Sequence, residues 1–341
     1  MKKILVTGGA GYIGSHTIIE LVENTGAEVI SADNYSNSTP KTFARIKSIT
    51  EKAMKNYSIN LCDANAVKTM FEENTDIDGV IHFAAFKSVP ESMENPLLYY
   101  HNNIESLVNI LQVVKDYKIP NFIFSSSCSV YGNINELPVN EETPLHAISP
   151  YGYTKQVGEQ IVKDFANANP SVKSVLLRYF NPVGAHLSGK IGEVPMQRPG
   201  NLVPVITQTA IGKIKETVVH GNDYTTRDGT CIRDYVHVSD IARAHVEALN
   251  WLEKNKDIAG CSVFNLGTGS GVSVMEMINA FEKVSGQKLN YRIGSRREGD
   301  VGAIYSDNTL ARKTLGWIPK YTLEDMMLSA WKWELNMKEG A

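Results

Sequence analysis

The sequence of 341 residues lacks the features that mark several large classes of protein. It contains only four cysteines, and none of them forms a CxxC pair: Cys62, Cys128, Cys231 and Cys261. Neither a disulfide framework nor a zinc site is therefore indicated, and a reducing compartment is expected. No stretch approaches about 18 uninterrupted apolar residues, so no membrane association is expected. The apolar start ends at Gly8, too early for a signal peptide, and we expect a cytoplasmic protein.

Charge of one sign is not in excess either. Lys and Arg number 34 and Asp and Glu number 37, which gives a formal net charge of -3. No basic stripe is visible, so no nucleic-acid partner is expected. The adjacent cations Arg296 and Arg297 suit a small anionic ligand instead. The composition, 43% hydrophobic and 21% charged, is that of a globular protein with one large core or two domains that share a cleft.

The apolar pattern alternates between short strand-like runs and amphipathic helices. Residues 4–7, a glycine loop, a helix over 12–24, a second apolar run over 28–32 and Asp33 make one βαβ unit. Further strands are predicted at 79–83, 121–125, 174–179 and 262–266, and helices at 96–117 and 151–167. This alternation predicts an α/β fold with a Rossmann-type, doubly wound parallel sheet.

Beyond residue 180 prolines are frequent and the alternation is less regular. We interpret residues 181–341 as a smaller, mixed α/β substrate domain. It would be interleaved with the cofactor domain of residues 1–180, to which the chain would return near 235–270.

The N-terminal glycines Gly8, Gly11 and Gly14 have the spacing GxxGxxG. Such a loop needs one glycine for its tight turn, one for the approach of a pyrophosphate and one for helix packing. A turn without a ligand would explain the glycines alone. Asp33, however, lies 19 residues after Gly14, where a carboxylate accepts hydrogen bonds from a ribose diol and repels a 2′-phosphate. The pattern therefore favours NAD over NADP.

Tyr151 and Lys155 are separated by one helical turn, and they follow a serine run that ends at Ser127. Positions i and i+4 share a face of a helix, so both side chains can point into one site. A free phenol, with a pKa of about 10, is too weakly acidic to act as a base at neutral pH, but adjacent cations favour phenolate. YxxxK pairs on solvated helix faces are common. Behind a phosphate loop, this pair predicts proton transfer, with Ser127 bonded to the substrate oxygen.

The chain resembles the extended short-chain dehydrogenase/reductase family, and within it the branch that epimerises UDP-hexoses at C4. The resemblance runs from Ile4 to about Trp333. Its motifs lie at residues 6–15 (VTGGAGYIGS), 80–87 (VIHFAAFK), 99–103 (YYHNN), 121–127 (NFIFSSS), 177–186 (LRYFNPVGAH), 233–238 (RDYVHV), 264–267 (FNLG) and 296–300 (RREGD).

The resemblance implies a chemistry and a cofactor site. Tyr151 would take the proton of the sugar 4-OH while NAD receives the C4 hydride, and a 4-keto sugar would turn over before the hydride returns. This isomerase would interconvert UDP-galactose and UDP-glucose in galactose metabolism, as a homodimer. The cofactor would contact Gly8, Gly11, Tyr12, Ile13, Gly14, Asp33, Asn34, Asn37, Ser38, Asp63, Ala64, Phe83, Ala84, Lys87, Asn102, Tyr151, Lys155 and Phe180.

By the same resemblance, the UDP-hexose would contact Ser127, Tyr151, Asn181, Asn201, Leu202, His220, Arg233, Arg297, Asp300 and Ile304. The arginines suit a diphosphate, although surface ion pairs with neighbours such as Glu298 would also explain them. His220 stands where the family often has an aromatic residue near uracil. Ile304 occupies the position that gates the sugar pocket, and its middling size leaves the acceptance of N-acetylated sugars open. No metal ligands are expected, since no histidines and carboxylates have ligand spacing.

Two other classes of function compete with this hypothesis. Dehydratases of the fold carry an Asp-Glu pair directly after the catalytic hydroxyl residue, and UDP-glucuronate decarboxylases tend to carry a Glu there. Here the position holds Cys128 and Ser129, which disfavours both and leaves UDP-glucuronate epimerisation a weak alternative. A non-catalytic NAD sensor commonly loses the Tyr or the Lys, and this chain keeps both.

Overall fold

A computed structural model describes residues 2–134, 136–196, 199–255, 258, 260–297 and 300–338 of the chain. These ranges contain thirteen strands and twelve α-helices. Glu298 and Gly299 of the 296–300 motif lie outside these ranges. The strands are β1 (Lys3–Thr7), β2 (Glu28–Ala32), β3 (Lys55–Tyr57), β4 (Gly79–His82), β5 (Asn121–Ser127), β6 (Lys173–Tyr179), β7 (Asn181–Val183), β8 (Thr217–His220), β9 (Ile232–His237), β10 (Cys261–Leu266), β11 (Gly271–Ser273), β12 (Tyr291–Gly294) and β13 (Ala303–Ile304).

The helices connect these strands and cover the sheet. They are α1 (Tyr12–Asn24), α2 (Lys41–Thr50), α3 (Ala64–Glu72), α4 (Val89–Glu94), α5 (Pro96–Tyr100), α6 (Ser106–Asp116), α7 (Pro150–Ala168), α8 (Leu202–Ala210), α9 (Val238–Lys254), α10 (Val274–Ser285), α11 (Thr309–Leu315) and α12 (Leu323–Lys338). One π-helical turn, His101–Glu105, joins α5 to α6. None of the helices in the described ranges has the length and apolar character that a bilayer crossing requires.

Seven parallel strands form the central sheet in the order β10-β6-β5-β4-β1-β2-β3. The chain order reverses between β1 and β4, and ligands of such sheets bind at the carboxyl ends of the strands beside this reversal. Side chains alternate between the two faces along each strand. Ile4 and Val6 of β1 therefore pack into one apolar cluster, with α1 and α9, while Leu5 packs into the other, with α3, α6 and α7.

The remaining strands form two small sheets beside the carboxyl ends of the central one. The first has the order β11-β9-β13, with β7 paired to β9, and the second pairs β12 with β8. A third apolar cluster, which includes Met277, Phe281 and Trp331, packs α10 and α12 together beneath them.

The predicted fold class is confirmed, and the differences are local. The expected single helix over 96–117 is interrupted by the π-helical turn, and the run over 262–266 forms an edge strand rather than a central one. Strand β3 was not predicted, because its three residues Lys55–Tyr57 are polar and only half-buried. The division of the chain into two domains stays a prediction.

Candidate active site

The glycine loop between β1 and α1 is too crowded to hold side chains. Gly8 has φ +69°, and a Cβ on it would lie 2.9 Å from the amide nitrogen of Ala84. A Cβ on Gly14 would lie 2.3 Å from the carbonyl oxygen of Gly8. The helix begins after Gly11 without a side-chain cap. The first N–H groups of a helix lack intrahelical partners, so this helix end offers donors to an anion.

Asp33 follows β2 directly and organises the loop beside it. Its Oδ2 accepts a hydrogen bond from the Ala10 amide at 3.0 Å, and its Oδ1 accepts from the Tyr35 amide and the Ser38 hydroxyl, both at 2.8 Å. The carboxylate therefore fixes the glycine loop to the loop after β2. Asn34 and Asn37 are exposed in this second loop.

The other residues predicted to hold the cofactor lie around the same edge of the sheet. Asp63 caps α3 by accepting from the Asn65 and Ala66 amides, at 3.0 and 3.1 Å. The Phe83 ring lies 4.7 Å from the His245 ring, and the Asn102 amide donates to Asn103 at 3.0 Å. The Tyr12 hydroxyl donates to the Gly184 carbonyl, and Ile13 packs against the apolar core. Ala64 is the first residue of α3. Phe180 is buried, with its ring next to that of Tyr131.

The catalytic candidates Tyr151, Lys155 and Ser127 are brought together by helix α7 and strand β5. Ser149 caps α7, accepting from the Gly152 amide at 3.1 Å, and Pro150 starts its first turn. Ser127, the last residue of β5, lies beside Tyr151 and favours ionisation of its phenol, and the Lys155 ammonium donates to the Ser125 carbonyl at 2.7 Å. The predicted cluster is therefore present in the fold.

Burial dominates the ionisation of both α7 residues. It raises the pKa of Tyr151 to about 12, although the hydrogen bond from Ser127 acts in the opposite direction. It lowers the pKa of Lys155 to about 7, against the attraction of Glu159. In the protein without a cofactor, burial therefore outweighs the groups that favour phenolate. The expected stabilisation of phenolate by Lys155 together with a nicotinamide cation stays a prediction.

A second buried pair lies one turn further along α7. Glu159 binds Arg178 of β6 through two bonds, from Nε to Oε1 at 2.7 Å and from Nη2 to Oε2 at 2.6 Å. Ser126 donates to Glu159 Oε1 at 2.5 Å, and Arg178 also donates to the Tyr131 hydroxyl at 2.9 Å. Tyr151, Lys155 and Glu159 thus each contact one residue of the serine run, which fixes α7 along β5. Sequence reasoning missed both members of the pair.

The lowered pKa of Lys155 predicts a pH-dependent stability. The unfolded chain binds this proton up to its ordinary pKa of 10.5, and the folded chain releases it near 7. Stability therefore rises with pH between these values, by at most about 1.4 kcal/mol per pH unit. In urea unfolding of ligand-free protein at pH 7, 8 and 9, Lys155→Met should lose this increment, and the exposed Lys115→Met should keep it. Parallel pH profiles for wild type and Lys155→Met would contradict the assignment.

Besides Ser127 and Tyr151, the residues predicted to contact a sugar nucleotide lie on the small sheets, on α8 and on the loops next to them. Arg233 of β9 donates to the Val301 carbonyl at 2.8 Å and pairs with Asp300 at 3.4 Å, and Ile304 lies beside it in register on β13. His220 contacts the Ser295 carbonyl at 3.4 Å, close in sequence to the exposed Arg297. Asn181 begins β7, and Leu202 begins α8 after Asn201.

Glu193 connects the two predicted groups of ligand-binding residues. Its Oε1 accepts from the Lys87 ammonium at 2.9 Å and from the Asn201 amide at 3.2 Å. The Lys87 ammonium also lies 5.9 Å from the centre of the Tyr12 ring, next to the glycine loop. Glu193 was not predicted, because it belongs to a loop with no recognisable pattern.

A family model described as GDP-mannose 4,6 dehydratase matches residues 5–329. UDP-glucose 4-epimerase of Bacillus subtilis (strain 168) is 47% identical over 337 residues, with 99% of this chain and 98% of the relative covered. The enzyme of that name from Mus musculus is 42% identical over 347 residues, with 100% and 99% covered. The chain belongs to the UDP-glucose 4-epimerase family.

Solved structures of family members have the same fold over the full chain. UDP-glucose 4-epimerase from Bifidobacterium longum, in complex with NAD+ and UDP, superposes with a TM-score of 0.94 at 47% identity, and 100% of both chains is covered. The epimerase from Stenotrophomonas maltophila, with bound NAD and formylated UDP-arabinopyranose, gives a TM-score of 0.96 at 43% identity, again over 100% of both chains.

Proposed function

We propose that this chain is an NAD-dependent UDP-glucose 4-epimerase that interconverts UDP-galactose and UDP-glucose. The observation that carries the proposal is the cluster of Tyr151, Lys155 and Ser127 at the carboxyl end of β5. This cluster lies in a fold that superposes over its whole length on epimerases solved with NAD. Proton transfer beside a dinucleotide is the chemistry that such a cluster performs.

The residues of the first βαβ unit fit NAD. A Cβ on Gly8 would clash with the backbone of Ala84, and a Cβ on Gly14 would clash with the backbone of Gly8. With glycine at both positions, a pyrophosphate can approach the backbone of the loop. Asp33 has the carboxylate that suits a ribose diol. The chemistry that NAD+ supplies when bound is the reversible acceptance of a hydride from the sugar C4. We assign the cofactor to the residues that the family resemblance implies, from Gly8 in the glycine loop to Phe180.

The protein's own contribution is to hold and move one proton. In its phenolate form Tyr151 Oη accepts the proton of the sugar 4-OH, and in its phenol form it returns that proton to either epimer. Ser127 lowers the phenol pKa and offers its hydroxyl to the same substrate oxygen. Lys155, anchored on the Ser125 carbonyl, is the residue that we assign to the cofactor ribose. Lys155 is buried and Tyr151 and Ser127 are half-buried, so a bound cofactor and substrate would exclude the remaining water from the proton's path.

The substrate side is built for a diphosphate and a sugar. We assign the diphosphate to Arg233 and Arg297, whose guanidinium forks match phosphate oxygens. Asp300 orients Arg233 through their ion pair. The other substrate residues in this proposal are Asn181, Asn201, Leu202, His220 and Ile304.

The same fold also hosts dehydration, and the family model is described by such an enzyme. Elimination of water needs an added acid and base beside the catalytic hydroxyl. Here the next residue is Cys128, and burial raises the pKa of its thiol to about 12. A neutral thiol is not a base at physiological pH, which favours epimerisation over dehydration.

The test uses purified protein without added NAD. UDP-galactose and UDP-N-acetylgalactosamine are incubated separately with it, and the 4-epimers are separated by chromatography. Conversion of UDP-galactose alone supports the epimerase and means that Ile304 closes the sugar pocket. Conversion of both means that the pocket admits an acetamido group. Failure to convert either, even after NAD is supplied, contradicts the proposed substrate and reopens UDP-glucuronate and the sensor function.

We further propose a cytoplasmic homodimer that pairs through the face of α4, α5 and α7. Large apolar side chains are exposed there, including Leu97 at 81% and Met93 at 61%. The Tyr100 and Tyr153 rings lie 6.4 Å apart and connect α5 to α7 into one surface. A contiguous apolar surface of this kind is typical of an interface, and C2 symmetry is the commonest closed arrangement.

Leu97→Glu should therefore convert the dimer to a monomer, because it places a charge in the centre of this apolar face. Light scattering coupled to size-exclusion chromatography measures the mass directly. Leu328→Glu on α12, a leucine that is 43% exposed, is the matched control and should stay dimeric. A Leu97→Glu variant of unchanged dimeric mass would exclude this face as the interface.

A further inference from the structure

Three side chains with metal-binding atoms converge between α3 and the π-helical turn. Cys62 precedes the cap residue of α3, and His101 and Glu105 are the first and last residues of the turn. The thiol sulfur, one imidazole nitrogen and one carboxylate oxygen all lie within 4.8 Å of one another. Sequence analysis did not predict this cluster, because Cys62 and His101 are distant in the chain.

The separations suit a single small cation. His101 Nδ1 and Glu105 Oε2 lie 2.7 Å apart. The ligands of a tetrahedral Zn²⁺ are about 3.3 to 3.7 Å apart, given bonds of about 2.0 to 2.3 Å. These two atoms therefore need to separate by about 0.6 Å to bind one cation between them.

The π-helical turn is an independent indication of a site. Such turns are rare, cost hydrogen-bond quality, and occur frequently at functional sites. This one shifts the registers of α5 and α6 and presents His101 and Glu105 on the side of Cys62. The Cys62 sulfur lies 3.7 Å from the Asn102 carbonyl and 3.9 Å from the His101 carbonyl, so the thiol packs directly against the turn.

We propose that Cys62, His101 and Glu105 form a Zn²⁺-binding site separate from the active site. Thiolate, imidazole and carboxylate are the ligand types that zinc takes, and three protein ligands leave one position for water or an exogenous ligand. The His101 side chain is 67% exposed, which gives the ion a path from solvent.

Occupation of this site would add a cross-link between two segments that already pack against each other. Asp63, next to Cys62, and Asn102, next to His101, are both among the residues proposed to line the cofactor. Zinc bound between their neighbours would hold the α3 cap against the π-helical turn. The site therefore stabilises the wall of the cofactor cleft, and its binding is measurable without any turnover.

The experiment titrates the whole protein, first treated with chelator and kept reduced, with ZnCl₂ by calorimetry and with CoCl₂ by absorption. Wild type should bind one equivalent of Zn²⁺. With Co²⁺ it should show the strong visible bands of tetrahedral coordination and a thiolate charge-transfer band. Cys62→Ser and His101→Gln should each weaken Zn²⁺ binding by more than about 100-fold, since even residues that only support ligands account for 10- to 100-fold.

Cys261→Ser and His146→Gln are the matched controls, since each removes a potential ligand elsewhere and should bind as wild type does. Thermal melting without metal checks that Cys62→Ser is folded, and Zn²⁺ should raise the melting temperature of wild type and of both controls but not that of Cys62→Ser. Absence of saturable one-to-one binding by wild type would overturn the proposal. So would wild-type binding by Cys62→Ser, and neither result bears on the epimerase activity.

Discussion

Replacing Tyr151 with Phe should lower kcat for UDP-galactose by about 10³-fold, within the range of 10² to 10⁴ that a positioned acid–base group contributes. The phenol oxygen is the group that exchanges the proton with the sugar 4-OH, and Phe keeps the ring while removing it. UDP affinity, measured by calorimetry, should stay within about twofold, because the proposed diphosphate contacts lie on Arg233 and Arg297.

Tyr153→Phe is the matched control. Tyr153 lies on the same helix two residues later, is 48% exposed and points away from Ser127 towards the Tyr100 ring. This variant should keep wild-type turnover. If Tyr151→Phe turned over as fast as wild type, Tyr151 would not be the proton-transfer group, and the sensor function would become the better explanation of the fold.

Replacing Arg178 with Met should cost about 3 to 5 kcal/mol in the free energy of unfolding, because it removes both Arg178 hydrogen bonds of the buried Glu159 carboxylate and leaves the Lys163 ammonium, 3.6 Å away, as its cationic partner. Arg178 is 2% exposed and Glu159 is fully buried, so water cannot compensate for the lost partner. The measurement is the urea unfolding midpoint at pH 7.

The double variant Arg178→Met/Glu159→Gln should recover part of this loss, since it removes the unpaired charge as well. Lys283→Ala, which breaks an exposed ion pair with Glu324, should leave the midpoint unchanged. A double variant less stable than Arg178→Met alone would mean that Glu159 is stabilised by other groups, such as Ser126.

The parts of the site that sequence predicted are those that lie close together in the chain. The glycine loop and Asp33 belong to one βαβ unit, and Tyr151 and Lys155 share one helical turn, so local periodicity was enough to place them. Ser127 was predicted as the end of a strand, because apolar runs between helices mark the parallel strands and ligands bind at their carboxyl ends.

The parts that sequence did not predict depend on contacts across the fold. Glu193 meets Lys87 at a separation of 106 residues, and neither residue lies in a pattern that refers to the other. Arg178 looks like one more residue of a strand until the neighbouring helix places Glu159 opposite it. The small sheets combine strands of two to six residues, too short for periodicity to detect.

The contacts between α7 and the serine run also depend on how far the helix and the strand advance per residue. Four residues of helix advance about 6.0 Å, and two residues of strand advance about 6.6 Å. The step from Tyr151 to Lys155 therefore nearly equals the step from Ser127 back to Ser125. A slip of α7 by one residue would rotate the helix by about 100° and take Tyr151 and Lys155 away from Ser127 and Ser125 together. The alignment of the two proposed catalytic side chains therefore depends on a single register of α7 on β5.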